Sequence, residues 1–374
     1  FRSLESYHNA MSGKYGLVTL RTRYAGMSLP EIEVVDVGEM RRKKLMTGVF
    51  SPQLLGGIRK ALEQQRQVIL FQNRRGYAPV LQCRECGWTP RCQRCDVSLT
   101  MHRSMRQMVC HYCGGTYGIP TVCPNCGGHE LSSRGYGTER IEQQLQSLLP
   151  QARISRMDLD TTRSRQGYER ILHDFEQGRT DILIGTQMVT KGLDFDRVSL
   201  VGIISADTML SIPDFRSYER AFQLMEQVAG RAGRKGAAGH VALQTRDAAA
   251  DVVRQVVAHD YEGMYAQQLQ ERELFRYPPF CRLISVYLKH RDEAVADKLS
   301  ADFAALLRQV FAERVLGPDT PPVSRIRLMH IRSLILKMES RVPVSAVAER
   351  LTALQRQVLA IPAYRSAQIY YDVD

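Results

Sequence analysis

The stretch DILIGTQMVTKGLDF, Asp181 to Phe195, decides how this chain is read. Asp181 to Gly185 is a short apolar run after a polar turn, the pattern of a parallel strand buried on both faces. It predicts Thr186 and the loop up to Asp194 at the strand's carboxyl end, where open α/β sheets bind ligands. Farther on, Phe215, Phe222, Met225 and Ala229 recur at helical spacing. The motif QVAGRAGR, Gln227 to Arg234, therefore closes a helix of about four turns and leaves Arg231 and Arg234 just beyond it. Two arginines three apart, on a loop where Gly230 and Gly233 let backbone come close, suit the charge of a phosphate. A Gly/Arg loop after a helix is, taken singly, more often a solvated C-cap. The order strand, loop, strand, helix, arginine loop is what speaks for a nucleotide-responsive site.

The same alternation extends to both sides. Arg66 to Phe71 and Ile154 to Met157 read as strands, and Ser51-Pro52 starts a helix with Leu54, Ile58 and Leu62 on one face. Thr138 reads as the N-cap of a helix carrying Ile141, Leu145, Leu148 and Leu149, and Tyr168, Ile171, Leu172 and Phe175 mark the next. The expectation is a doubly wound α/β lobe over residues 46–80 and 131–246. Residues 1–45, with strands at 16–22 and 32–37, are expected as the tail of a preceding domain and a linker. Residues 247–374 read as strand (281–289), helix (294–315), strand material (325–338), helix (344–359) and a last strand (368–373). That is a small α+β sandwich of the ferredoxin-like sort. Its Arg325, Arg327, Arg332 and Lys337 either line one face or alternate as solvent-side charges.

Residues 81–130 break the pattern with four Cys-x-x-Cys pairs, which account for eight of the nine cysteines. Such a turn offers two thiolates at the separation zinc needs, and two turns complete one tetrahedron. Between Cys95 and Cys110 the text alternates as a hairpin would, bringing the second turn back to the first. The few residues between Cys86 and Cys92 leave no room for such a return. The expected sites are therefore nested: Cys92, Cys95, Cys110 and Cys113 inside, Cys83, Cys86, Cys123 and Cys126 outside. Two structural Zn2+ follow, with His102, His111 and His129 as bystanders and no open position for catalysis. Thiols kept for metal imply a reducing, cytoplasmic compartment. Cys281 stands apart as a small buried hydrophobe.

Net charge is +12, which favours polyanionic partners. Residues 1–80 hold 13 Lys/Arg against 6 Asp/Glu, while 247–374 hold 17 against 16, so the excess sits early in the chain. Arg41-Arg42-Lys43-Lys44 is either a solvated loop or a DNA contact, and Gln72 to Tyr77 either meets phosphates or simply turns. No apolar run approaches a membrane span, and no signal peptide is visible. Starting at Phe1, the sequence reads as a piece of a longer protein.

Thr186, Gly192 and Asp194 resemble motif V of superfamily 2 helicases, and Gln227 to Arg234 resembles their motif VI. Together with VILFQNRRGYAP, the nested cysteines, RGYGTERIEQQL, Asp207, DFRSYERA, RYPPF, VLGP and the terminal YYDVD, the chain resembles the PriA family of primosomal replication-restart helicases. The resemblance implies a RecA-like second helicase lobe with an inserted two-zinc module and a C-terminal α+β domain like ribosomal S10. It implies ATP and Mg2+ in the intact protein, with Gly192, Asp194, Gln227, Arg231 and Arg234 toward the nucleotide and the two arginines acting on the γ-phosphate. Forked and single-stranded DNA, single-strand binding protein, and primosome and helicase-loading proteins are the implied partners. The chain has no G-x-x-x-x-G-K-[ST] and no Asp-Glu-x-His box, so by itself it is expected to lack ATPase activity. The rival readings are a non-enzymatic, zinc-dependent nucleic-acid-binding module and an RNA helicase. The zinc insertion and the lack of an RRM-type aromatic motif favour the DNA reading over the RNA one.

Overall fold

The structure, a computed structural model, describes residues 3–19, 29–73, 80–83, 85–102, 107–134, 137–158, 161–162, 164–190, 195–210, 214–233 and 239–374. It divides into two compact units, residues 1–78 with 135–268, and residues 79–134 with 269–374.

The first unit is built on a six-stranded sheet in the order Glu31–Asp36, His240–Thr245, Val198–Ile203, Gln67–Phe71, Ile182–Gly185, Ile154–Met157. Every neighbouring pair is parallel, so all carboxyl ends share one edge. The central runs QVILF, ILIG and VSLVGI are almost wholly buried, as strands covered on both faces must be. On one face Phe175, Phe222, Met225 and Val253 pack against Ile69, Leu183 and Val201. On the other, Leu54, Ile58, Ile141 and Leu145 cover Val68, Leu70 and Ile184. The Ser51 hydroxyl accepts the Leu54 N–H at 3.2 Å, with Pro52 opening the helix Pro52–Glu63.

Four local expectations come out differently. Thr138 is the first residue of the helix Thr138–Leu148 and Gly137 its N-cap, with the Thr138 hydroxyl turned inward to donate to the buried Asp158 carboxylate at 2.5 Å. A boundary near residue 45 does not match the sheet, since Glu31–Asp36 is its edge strand, paired along its length with His240–Thr245. Ahead of it Leu4 is fully buried in the same core, and Arg216 donates to Glu5 at 2.9 Å. Residues 16–19 form no strand, and 20–22 lie outside the described residues. Arg41 and Arg42 end a short helix, Val37–Arg42, instead of opening a basic loop.

The second unit joins two stretches far apart in sequence. Its C-terminal part is a β-α-β-β-α-β sandwich with sheet order Val315–Asp319, Met329–Glu339, Cys281–His290, Gln368–Val373. The helices Glu293–Phe311 and Val344–Leu359 cover one face through Leu299, Phe303, Leu307, Val347 and Leu351. The predicted helix 294–315 hides the strand Val315–Asp319, which runs straight on from a 3-10 turn at its end and has no alternation to announce it. The two-residue strand Arg325–Ile326 folds back on Met329 through Arg327 and Leu328, at φ 52° and 65°. A left-handed residue with a side chain costs roughly 1–2 kcal/mol, so this turn needs outside support.

The predicted basic face is divided by strand register. Arg332 lies in the same alternation as Leu334 and Leu336 and is 6% exposed, held by Asp297 and by Glu293 at 3.1 Å. Lys337 falls on the opposite face, with its ammonium 4.2 Å from the Tyr277 ring centre. Cys281 is buried as expected, its thiol donating to the Arg276 carbonyl at 2.8 Å.

Candidate metal centres and the arginine loop

The structure brings the eight paired cysteines into two groups of four sulfurs, each group within 4.8 Å. One holds Cys83, Cys86, Cys123 and Cys126, the other Cys92, Cys95, Cys110 and Cys113. Sulfur separations are 3.6 Å for Cys83–Cys126, 3.7 Å for Cys86–Cys123 and 3.7 Å for Cys92–Cys113. A tetrahedron with metal–sulfur bonds of about 2.3 Å has edges of about 3.8 Å, so both groups fit zinc. A disulfide, with sulfurs about 2.05 Å apart, fits neither.

Hairpins deliver these groups. Thr100–His102, Gln107–Val109 and Thr116–Gly118 form a three-stranded antiparallel sheet that returns Cys110 and Cys113 to Cys92 and Cys95. Val80–Cys83 pairs with Leu131–Arg134 and closes the outer loop. Three knuckles share one design, in which the residue after the second cysteine is glycine at φ near +75°. Gly87, Gly114 and Gly127 donate their N–H to the carbonyls of Cys83, Cys110 and Cys123 at 3.0, 2.8 and 2.9 Å.

The electrostatics ask for a cation. Burial raises the Cys92 pKa, but hydrogen bonds from the Tyr117 hydroxyl at 3.3 Å and the Arg94 N–H at 3.4 Å outweigh it and bring the thiol down to about 6. Burial pushes its neighbour Cys95 up to about 12. In the outer group the Asn125 amide lowers Cys86 to about 6. The Gly128 N–H draws Cys126 down, but the Cys86 sulfur, burial and the sulfurs of Cys83 and Cys123 together outweigh it and push the thiol up to about 12. Four sulfurs this close cannot all ionise without a positive charge among them. Tyr117 and Asn125 carry no spacing signal, and the sequence reading missed both.

In the first unit the described residues on either side of 191–194 lie at opposite edges of the sheet. Thr186, buried, sits at the carboxyl edge, where Asp158 and Asp207 also lie. Asp207 accepts from the Thr245 hydroxyl at 2.8 Å and the Arg246 N–H at 3.0 Å. By Phe195, whose ring meets Phe175 edge to face at 4.7 Å, the chain approaches the amino end of Val198–Ile203. That edge is also where the arginine loop ends, for Gly233 donates its N–H to the Val198 carbonyl at 3.1 Å. A Cβ on Gly239 would come within 2.3–2.4 Å of backbone atoms of Ala232 and Gly233, so only glycine lets the next strand start there. Gln227 and Arg231 are half-buried on this segment. Gly192, Asp194 and Arg234 lie outside the described residues, as do Arg74 to Tyr77.

On the open face of the C-terminal sheet, Tyr287 and Tyr370 stack at 5.1 Å, with the Lys289 ammonium 4.6 Å from the Tyr370 ring centre. Rings beside cations suit bases and phosphates.

Comparison with known proteins gives three family matches: the helicase conserved C-terminal domain over residues 135–236, the PriA DNA helicase Cys-rich region domain over 92–116, and the primosomal protein N C-terminal domain over 273–374. The replication restart protein PriA of Bacillus subtilis is 38% identical over 351 residues, covering 93% of this chain and 44% of that protein. That of Treponema pallidum is 40% identical over 348 residues, covering 92% and 52%. The chain thus spans about half the length of the curated relatives it matches. Among solved structures, RecG bound to a three-way DNA junction has a TM-score of 0.36 at 12% identity, over 68% of this chain and 23% of that one, too slight a likeness to bear on ligand.

Proposed function

The chain belongs to the PriA family of replication restart proteins, and we propose that it forms the second motor lobe, zinc module and C-terminal domain of an ATP-driven 3′-to-5′ DNA helicase that acts at stalled or branched forks. The observation that carries this reading is the insertion of two four-cysteine groups into a parallel-sheet lobe, in the chain between its strands Gln67–Phe71 and Ile154–Met157. In this reading each group holds one structural Zn2+, and the cytoplasm keeps the thiols reduced. Zinc fixes the knuckles, and the residues around it do the rest: Tyr117, Arg94 and Asn125 donate to the sulfurs.

In this reading Arg231 and Arg234 would stabilise charge on the γ-phosphate of an ATP whose Mg2+ and phosphate loop belong to a first lobe, with Gln227 in the same nucleotide-binding segment. Gly192 and Asp194 lie between two described anchors, Thr186 at the carboxyl edge and Phe195 near the amino edge. In this reading Gly192 and Asp194 couple nucleotide state to DNA grip. The excess of cations in residues 1–80 and the tyrosine pair of the C-terminal sheet support contact with forked and single-stranded DNA. Single-strand binding protein and the primosome and helicase-loading proteins complete the partners in this reading.

The test is Arg231→Ala in the full helicase. ATP hydrolysis should be lost while ATP and fork binding stay nearly intact. Wild-type turnover in that variant would sink the assignment.

A further inference from the structure

One of the four Cys-x-x-Cys knuckles is built differently, and that is where the C-terminal domain attaches. After Cys86, Cys113 and Cys126 comes a left-handed glycine whose N–H closes the knuckle on itself. After Cys95 comes Asp96, and its N–H leaves the knuckle to bond the Arg325 carbonyl at 2.8 Å. In return the turn of the hairpin Arg325–Met329 sends both of its N–H groups into the knuckle. Leu328 donates to the Arg94 carbonyl at 2.8 Å, and Arg327 donates to the Cys95 sulfur at 3.3 Å. The Ser324 hydroxyl donates to the Asp96 carboxylate at 2.9 Å, and Ile326 packs against the cluster that contains Leu81, Cys92 and Cys95.

We propose that the hairpin Arg325–Met329 is the missing part of the inner metal site, so that metal held by Cys92, Cys95, Cys110 and Cys113 and docking of the C-terminal hairpin form one linked equilibrium. A metal-bound thiolate keeps negative charge, and a backbone N–H aimed at it stabilises the ligand as outer-sphere donors do. The turn explains the other half of the link. Two consecutive left-handed positions normally call for Asn-Gly, and here they are Arg327 and Leu328. A conformation this disfavoured persists where its surroundings determine it, and the knuckle supplies acceptors for both N–H groups. In the inner group Cys92, Cys95 and Cys110 are buried and Cys113 half-buried, whereas in the outer group Cys83 and Cys123 are buried but Cys86 and Cys126 are exposed, with the Asn125 amide drawn from their own knuckle. The zinc insertion and the C-terminal domain are therefore one body because a metal-dependent clip joins them. Linkage is reciprocal: whatever factor docking adds to metal retention, metal adds to docking.

The experiment uses the full chain loaded with zinc, releasing the ions with a thiol-reactive mercurial in the presence of a chromogenic chelator. In Ser324→Ala and Ile326→Ala one of the two ions should leave at least about threefold faster while the other keeps its wild-type rate. Leu328→Gly keeps the N–H and relieves the turn, so its inner ion should be held as long as in the wild type or longer. Amides of Arg327 and Leu328 should be protected from hydrogen exchange in the loaded chain and lose that protection when the inner ion is removed. Wild-type release of both ions in Ser324→Ala and Ile326→Ala, equal acceleration of both, or unchanged protection of the two amides without metal would overturn the proposal.

Discussion

The two units are held together in opposite ways. The first is an all-parallel sheet whose apolar strands are covered on both faces, and its candidate site segments ride on strand ends that the core fixes. The second is assembled from residues 79–134 and 269–374, and the zinc module meets the C-terminal domain through backbone bonds around a cysteine knuckle. The first draws its order from buried apolar surface, while among the described residues the cysteine-rich half of the second has a small cluster around Leu81, Leu99, Met101 and Met108. A core that small rarely folds without a metal or a disulfide.

The strongest way to break this contrast is to remove metal. Chelation, or Cys95→Ser, should abolish protection across residues 80–134 and leave the first unit's unfolding transition in place, as followed by hydrogen exchange and calorimetry. Structural zinc contributes on the order of 10 kcal/mol in isolated fingers. Equal loss in both units would show that they fold as one. Next comes Gly239→Val, which sets a side chain against backbone that cannot yield. It should cost about 3 kcal/mol in the first unit only, measured by denaturant midpoint, and displace the segment that carries Arg231.

A smaller effect separates the two faces of the C-terminal sheet. Arg332→Met should destabilise the second unit by about 1 kcal/mol, since its carboxylate partners are more than half exposed, and leave DNA affinity unchanged. A tenfold weaker DNA complex would return Arg332 to the binding face. The smallest is Glu339→Gln. Its carboxylate is held down to about 2 by the Arg314 guanidinium at 2.8 Å. A depressed folded-state pKa means the contribution is complete above the ordinary glutamate value and is lost as pH falls toward 2. The pair is only partly buried and solvent screens it, so the loss at neutral pH should be the smallest of the four.

What could be read in advance follows the same division. Buried runs such as QVILF and ILIG announce strands, Ser51-Pro52 announces a helix start, and paired cysteines announce tetrahedra, because each signal is local. Thr138 misled because its hydroxyl is turned inward to Asp158, a buried carboxylate twenty residues on that no local pattern announces. Arg332 misled because strand register, set across the whole sheet, turns it toward Glu293 and Asp297. The hairpin at Arg327 had no signal at all, since its contribution is made by main-chain N–H groups that every residue carries. The edge strand Glu31–Asp36 was visible as a strand but not as a member of this sheet, because its partner His240–Thr245 lies at the other end of the unit.

The most direct test of the helicase reading is binding of this chain to a fork with a free leading-strand end, against matched duplex DNA and duplex RNA over a salt series. Phosphate contacts alone give any basic protein a steep salt dependence, so the comparison is made at each salt concentration. The account predicts that the fork binds at least about tenfold more tightly, roughly 1.4 kcal/mol. Equal affinity for all three would contradict it, leaving a basic surface with no preference for branched DNA.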